Sequence, residues 1–234
     1  MSIADKTVLI TGASRGIGQA LTDEALRRGA GRVFAAARRP AAHPDERVTP
    51  LRMDVTDAAQ IRAAAERVGS LDVLVNNAGL ALFEGLGDRA TLERHLAVNL
   101  FGTYAVTEAF LPQLTSSRGA IVNNLSLNSL APLPALAAYS VSKAAAFSLT
   151  QSLRTSLAER GVRVHAVLTG PTDTDMVRGL DIPKACAESV ARAIFDAVDR
   201  GEEDIFPDPV AQALADGWRN GAVKAFERQL AQVR

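Results

Sequence analysis

Short apolar, β-branched runs alternate with longer helical patterns along the whole chain, and that alternation constrains the fold more than any other feature. The runs are Thr7–Ile10, Arg32–Ala37, Thr49–Val55, Leu71–Asn76, Ala120–Ser126, Val162–Leu168 and a shorter Glu203–Phe206. Most are unbroken rather than alternating in polarity, as strands buried on both faces are. Between them lie the amphipathic stretches Gly16–Arg28, Ala58–Val68, Leu92–Leu114 and Ala138–Arg160. Gly29, Gly69, Gly119 and Gly161 each stand just past a helical pattern, where C-terminal caps belong. The order βαβαβ… predicts one α/β doubly wound domain: a mostly parallel seven-stranded sheet with helices on both faces. No linker or repeat divides residues 1–234. A final helix is expected over Val210–Val233, entered through Pro207-Asp208-Pro209.

Composition narrows the class. Of 234 residues, 47% are apolar, enough for a sizeable core. Lys plus Arg equals Asp plus Glu at 26 each, which gives no reason to expect a nucleic acid or a membrane surface as partner. The single Cys186 has no internal disulfide partner, as suits a reducing compartment. Met1 leads almost directly into Val8-Leu9-Ile10, too short a run for a signal sequence, and no stretch reaches the roughly 18 apolar residues of a membrane span. A soluble, cytoplasmic protein is expected.

The first strand ends in Thr11-Gly12-Ala13-Ser14-Arg15-Gly16-Ile17-Gly18, and a helix follows. Glycines allow close approach of the backbone to a pyrophosphate, and a helix N-terminus offers free N–H groups and a positive dipole end. Strand, glycine-rich turn and helix together are the setting of a Rossmann dinucleotide site, to which Gly12, Ser14, Arg15, Gly16, Ile17 and Gly18 would contribute. The second strand, Val33-Phe34-Ala35-Ala36-Ala37-Arg38-Arg39, has Ala37 where an acid would read the ribose 2′-hydroxyl of NAD. Arg38 follows it, and Arg15 is a second cation expected within reach. A guanidinium fork matches a phosphate bidentately, so NADP(H) is the expected cofactor.

Tyr139 and Lys143 form Tyr-x-x-x-Lys at the start of a helical stretch, Ser126 lies thirteen residues earlier at a strand end, and Asn76-Asn77-Ala78-Gly79 closes the fourth strand. With the loop Thr11–Gly18, this set resembles the short-chain dehydrogenase/reductase superfamily, from about Thr7 to about Met176. Residues four apart share a helix face, so Lys143 can hold its ammonium near the Tyr139 phenol. A cation about 4 Å away contributes roughly 4 kcal/mol at an effective dielectric near 20, which is expected to lower the phenol below its ordinary value near 10. Tyr139 then donates or accepts a proton, Ser126 hydrogen-bonds the substrate oxygen, and the cofactor carries the hydride.

The resemblance implies further roles. Asn99, in Val98-Asn99-Leu100-Phe101-Gly102, would bind a water linked to the catalytic lysine. Asp54 and Val55 would contact adenine, Asn76 and Gly79 the ribose side, and Thr172 and Thr174 the nicotinamide carboxamide. Two departures stand out: Thr169-Gly170-Pro171 where the family usually has Pro-Gly, and Leu125 where a second Ser is common. The resemblance also implies a homodimer or homotetramer built on Leu92–Leu114 and Ala138–Arg160.

The stretch from Leu127 to Leu136 carries no formal charge, and Met176, Val177 and Leu180 follow the nicotinamide segment. Such walls select by shape and desolvation, so a neutral, hydrophobic ketone or aldehyde is expected. His43, His95 and His165 pair with nothing at metal-ligand spacing and read as ordinary residues, so no metal is expected. Carbonyl reduction and alcohol oxidation use the same groups, so the direction stays open. A non-catalytic nucleotide sensor on the same fold would not need Ser126, Tyr139 and Lys143 together.

Overall fold

The computed structural model describes residues 1–231. Its strands are β1 (Thr7–Thr11), β2 (Arg32–Ala37), β3 (Val48–Arg52), β4 (Val73–Asn76), β5 (Ala120–Asn124), β6 (Arg163–Val167) and β7 (Asp204–Ile205). They form one sheet in the order β3-β2-β1-β4-β5-β6-β7, with every neighbouring pair parallel. The helices are α1 (Gly16–Arg27), α2 (Ala58–Val68), α3 (Arg89–Leu96), α4 (Thr103–Ser117), α5 (Ala137–Leu157), α6 (Ala187–Arg200), α7 (Pro209–Arg219) and α8 (Ala222–Leu230). This is the expected doubly wound Rossmann architecture.

The unbroken apolar runs are explained by buried clusters that take residues from both faces of the strands. Val8, Ile10, Val33 and Val75 face Leu21 of α1 and Ile194 and Phe195 of α6. Leu9, Phe34, Leu74 and Ile121 face Ile61 of α2 and Val106, Phe110 and Leu114 of α4. Adjacent residues on one strand thus serve opposite faces, and both are dry. Each such side chain contributes about 1.5–3 kcal/mol by its burial.

Several boundaries differ from the sequence pattern. Leu92–Leu114 is not one helix: α3 ends at Leu96, a π turn runs over Ala97–Gly102, and α4 begins at Thr103. Nor is there one terminal helix over Val210–Val233. It breaks at Asn220-Gly221 into α7 and α8, and the break carries Lys224 back to Asp204 of β7; Val233 lies outside the described residues. The runs Thr49–Val55 and Ala120–Ser126 stop as strands at Arg52 and Asn124, because their last residues turn into the loops that build the site. Gly119 is not a left-handed cap. Arg118 takes that conformation (φ 49°), and Gly119 is required because a Cβ there would collide with the Asp72 carbonyl oxygen.

After β3 the chain crosses back to the other side of β1, so β1 and β4 are sheet neighbours at the point where the winding reverses. Ligands of open parallel sheets bind at this crevice, beyond the carboxyl ends of the strands. No helix among the described residues is long and apolar enough to cross a membrane.

Candidate active site

A cleft of about 1740 Å³ opens along this edge. Its floor is the turn between β1 and α1. Gly12 adopts φ +66°, which favours glycine, and a Cβ at Gly18 would collide with the Gly12 carbonyl oxygen. The first turn of α1 holds no acidic residue, and its N-cap residue, Arg15, makes no side-chain cap. Its free N–H groups therefore face the cleft beside Ser14 and Ile17, a cradle that fits a pyrophosphate.

The cation wall differs from expectation in one respect. Ala37 ends β2, and Arg38 and Arg39 line the cleft with no carboxylate partner among the described residues. Arg15 instead crosses the cleft to Asp175, 2.7 Å away, and Arg178 joins the same carboxylate. The two arginines pull Asp175 below the usual carboxylate range. Arg15 is thus already paired with a carboxylate, and Arg38 is not.

Asp54 and Val55 line the cleft after β3, with the Asp54 carboxylate accepting from the Thr56 N–H at 2.9 Å. Gly79 lines it after β4, but Asn76 does not. Asn76 points into the interior, its amide donating to Thr107 and Asn123. Asn77 takes the exposed place. Its amide donates to the Thr11 carbonyl at 3.0 Å and fastens the glycine-rich turn to β4. Asn124 completes a rail that the sequence reading missed: it donates to Asn77 at 2.9 Å and accepts from Thr169 at 2.7 Å. Thr169 is the residue that stands where a proline is usual, and the hydrogen bond gives its hydroxyl a use.

Ser126, Tyr139 and Lys143 meet at the inner end of the cleft. Ser126 follows β5 and accepts from the Asn128 N–H at 3.1 Å. Tyr139 lies in the first turn of α5, with the Ser126 side chain near enough to favour its ionised form. Lys143, one turn on, donates to the Asn124 carbonyl at 2.8 Å and lies 5.7 Å from the centre of the Tyr139 ring. The expected lowering of the phenol is not found. Burial pushes Tyr139 up to about 12 against the lowering effect of the nearby Ser126 side chain, and burial pushes Lys143 down to about 8. Both groups lose hydration in the same dry site, and the lysine's charge is directed at a carbonyl rather than at the phenol. Tyr139 is therefore neutral at ordinary pH.

Asn99 lies in the π turn and is buried. Its side-chain oxygen accepts from the Leu80 N–H at 2.8 Å, and its amide donates to the Leu80 carbonyl and to Ser142, both at 2.9 Å. A π turn at such a place is a common mark of a functional position. A Cβ on Gly79 would lie 3.5 Å from the Asn99 oxygen and 3.8 Å from Lys143 Nζ, so Asn99 stands beside the lysine across a glycine.

Beyond β6, Asp173 and Pro171 bridge to Ala185 through the Asp173 N–H and the Pro171 carbonyl. That ladder leaves out the N–H of buried Thr172, which borders the cleft. Thr174 faces Gly16 across it, where a Cβ on the glycine would come within 3.0 Å of the threonine methyl. The outer walls are apolar. Leu127, Leu133 and Leu136 line them as expected, with Met176, Val177 and Leu180 opposite, whereas Leu130 packs into the core. Phe83, Ile182 and Val210 also line the cleft, and so does Arg94; no periodicity in the sequence marks these four.

Comparison with known proteins gives consistent results. The family model described as short chain dehydrogenase matches residues 6–184. The oxidoreductase UcpA of Salmonella typhimurium is 33% identical over 213 residues, covering 82% of this chain and 81% of its own. A sorbitol dehydrogenase of Cereibacter sphaeroides is 35% identical, covering 82% and 80%. A crystal structure of a short chain dehydrogenase from Burkholderia cenocepacia in complex with NADP superposes with a TM-score of 0.88 at 35% identity, covering 97% of this chain and 99% of that one.

Proposed function

The chain belongs to the short-chain dehydrogenase family, and from that premise we propose that it is an NADP(H)-dependent oxidoreductase that reduces a neutral ketone or aldehyde to the alcohol. The observation that carries this reading is the convergence of Ser126, Tyr139 and Lys143 at the inner end of the dinucleotide cradle. The same groups serve alcohol oxidation by microscopic reversibility.

The cradle of Gly12, Gly16 and Gly18 with the α1 N-terminus would hold the pyrophosphate, and Arg38 the 2′-phosphate. NADP in the Burkholderia relative supports this assignment. Asp54 and Val55 would border the adenine, Gly79 and Asn77 the ribose side, and Thr172 and Thr174 the carboxamide. When bound, the cofactor supplies or receives a hydride. Ser126 donates a hydrogen bond to the substrate oxygen and holds it against the phenol. Tyr139 gives that oxygen its proton, a role suited to a phenol that burial keeps neutral. Lys143 would hold the cofactor's ribose side and return a proton toward Tyr139, with solvent reaching it by way of Asn99.

Apolar walls around the inner site favour neutral, hydrophobic substrates. Exposed Phe101 and Tyr104 on the π turn and α4, with Val141 on α5, support a homo-oligomer joined along those helices. A cytoplasmic location belongs to the same reading, with Cys186 free in the structure. Incubating the protein with NADPH and a panel of neutral ketones and aldehydes, while following nicotinamide absorbance, tests the proposal. Substrate-dependent oxidation of NADPH is expected, and its absence across the panel would overturn the reading.

A further inference from the structure

His95 reads from the sequence as an ordinary residue, like His43 and His165, and the structure sets it against Tyr139. It lies on α3, fully buried, with its ring edge-on to Tyr139 at 6.4 Å between centroids and 69° between planes. Its Nδ1 is 2.8 Å from the Thr91 carbonyl oxygen, which can only accept, so Nδ1 carries the proton. Its Nε2 is 3.1 Å from the Leu82 N–H, which can only donate, so Nε2 is bare. The two bonds fix one neutral tautomer and use both ring nitrogens.

The chain segment that His95 meets is the wall of the site. Leu80, Ala81 and Phe83 line the cleft, and Gly79 adjoins Lys143. Loop backbone needs partners for its polar groups, and this loop finds them on α3 and the π turn. Asn99 takes both polar groups of Leu80, and His95 takes the N–H of Leu82. His95 and Asn99 are four residues apart, one turn along the same face. They grip the same strip of loop at two points.

We propose that His95 is a positioning residue: with Asn99 it forms a two-point clamp on the Leu80–Phe83 wall, and it fixes that wall relative to the Tyr139 ring it touches. The proposal rests on the reading of the site as that of a carbonyl reductase, because its effect on rate passes through Tyr139. A side chain needed only to fill space there would be replaceable by any ring of similar size. A clamp needs an acceptor where Nε2 stands.

Two substitutions separate these roles. His95→Phe keeps a ring edge toward Tyr139 and removes the acceptor. His95→Gln gives up the ring and offers a side-chain oxygen in place of Nε2. Displacing a reacting group by about 1 Å costs on the order of 100-fold in rate, so His95→Phe is expected to lower kcat by about 10- to 100-fold. His95→Gln is expected to keep kcat within about threefold of wild type, and NADPH affinity should be unchanged in both, since the cradle lies elsewhere. A Phe variant with wild-type kcat would overturn the proposal, as would equal losses in the two variants or a loss in the Gln variant alone. Long-range proton–nitrogen spectra of the unsubstituted protein test the clamp without relying on folding of a variant or on turnover. A protonated Nδ1 and a bare Nε2 on His95 are expected, and the opposite tautomer or a rapidly exchanging mixture would overturn it. Should the unsubstituted protein reduce no carbonyl at all, the functional reading would fail, and the spectra would decide the clamp alone.

Discussion

The Lys143 ammonium lies 5.7 Å from the centre of the Tyr139 ring, one turn away on α5, and both side chains are buried. The pair shares a dry site in which neither charged form is well solvated. Burial holds the phenol neutral, with its value raised to about 12, and makes the lysine easier to deprotonate, with its value near 8. The arrangement suits a proton donor backed by a cation that gives up its own proton readily.

That shift has a consequence for stability. A lysine that falls from 10.5 in the unfolded chain to about 8 in the fold binds fewer protons in the native state between those values. Its contribution to stability is therefore present above 10.5 and lost as pH falls through 8. The Tyr139 shift acts only above its ordinary value of 10, so the interval below belongs to Lys143. Between about pH 7 and about pH 9.5, wild type should gain about 2 kcal/mol relative to Lys143→Met. Urea unfolding of both proteins at both pH values measures this, and parallel profiles would contradict it.

A second prediction concerns the C-terminal helices. Asp204 of β7 is buried and bonded to Arg154, Lys224 and Trp218 at 2.7, 2.7 and 2.8 Å. Burial alone would raise its carboxyl, and these partners hold it below the usual range instead. Asp204→Ala removes the buried carboxylate and leaves Arg154 and Lys224 only the more exposed Glu227 and Glu203 as acidic partners, which should cost about 1.5–3 kcal/mol by chemical denaturation. A loss below about 1 kcal/mol, the level of an exposed pair, would show that the network does not anchor α7 and α8.

The difference between these two sites shows what the sequence made readable. Buried parallel strands and a glycine-rich turn are local patterns, so the sheet and the cradle could be placed from spacing alone. Ser126, Tyr139 and Lys143 were identifiable because Tyr-x-x-x-Lys and the serine thirteen residues before it resemble the short-chain dehydrogenase/reductase pattern. The break at Gly221, the inward turn of Asn76, the Arg15–Asp175 pair and the His95 contacts all depend on which distant segments meet. Asn99 was expected only from the resemblance, because a π turn leaves no periodicity by which to find it. The pKa shift of Tyr139 went the other way from expectation because spacing reports a nearby cation and not the loss of water.

Cofactor choice should depend on Arg38 more than on Arg15. An arginine–phosphate bond is worth about 1.5–3 kcal/mol, so Arg38→Asp should lower kcat/KM for NADPH by roughly 10- to 150-fold and spare NADH. Arg15 already bonds Asp175, so Arg15→Ala should cost less. Kinetics with both cofactors decide the matter. Equal use of NADH by wild type, or a larger loss from Arg15→Ala, would contradict the assignment.

Substrate preference should follow the apolar walls. Among matched ketones, a neutral hydrophobic one should have a higher kcat/KM than its carboxylate analogue. Arg94 is an exposed cation on the cleft and offers a definite alternative. A preference for the carboxylate that disappears in Arg94→Leu would assign an acidic substrate instead.

The central claim is that the Tyr139 hydroxyl delivers the proton, and the most direct measurement is turnover of NADPH with a neutral ketone by wild type and Tyr139→Phe, alongside NADPH binding by each. The substitution keeps the ring beside His95 and deletes only the hydroxyl. General acid catalysis is worth about 10²–10⁴-fold, so Tyr139→Phe should lose about that much in kcat while NADPH affinity stays within about threefold. Activity retained within about tenfold of wild type would contradict the account.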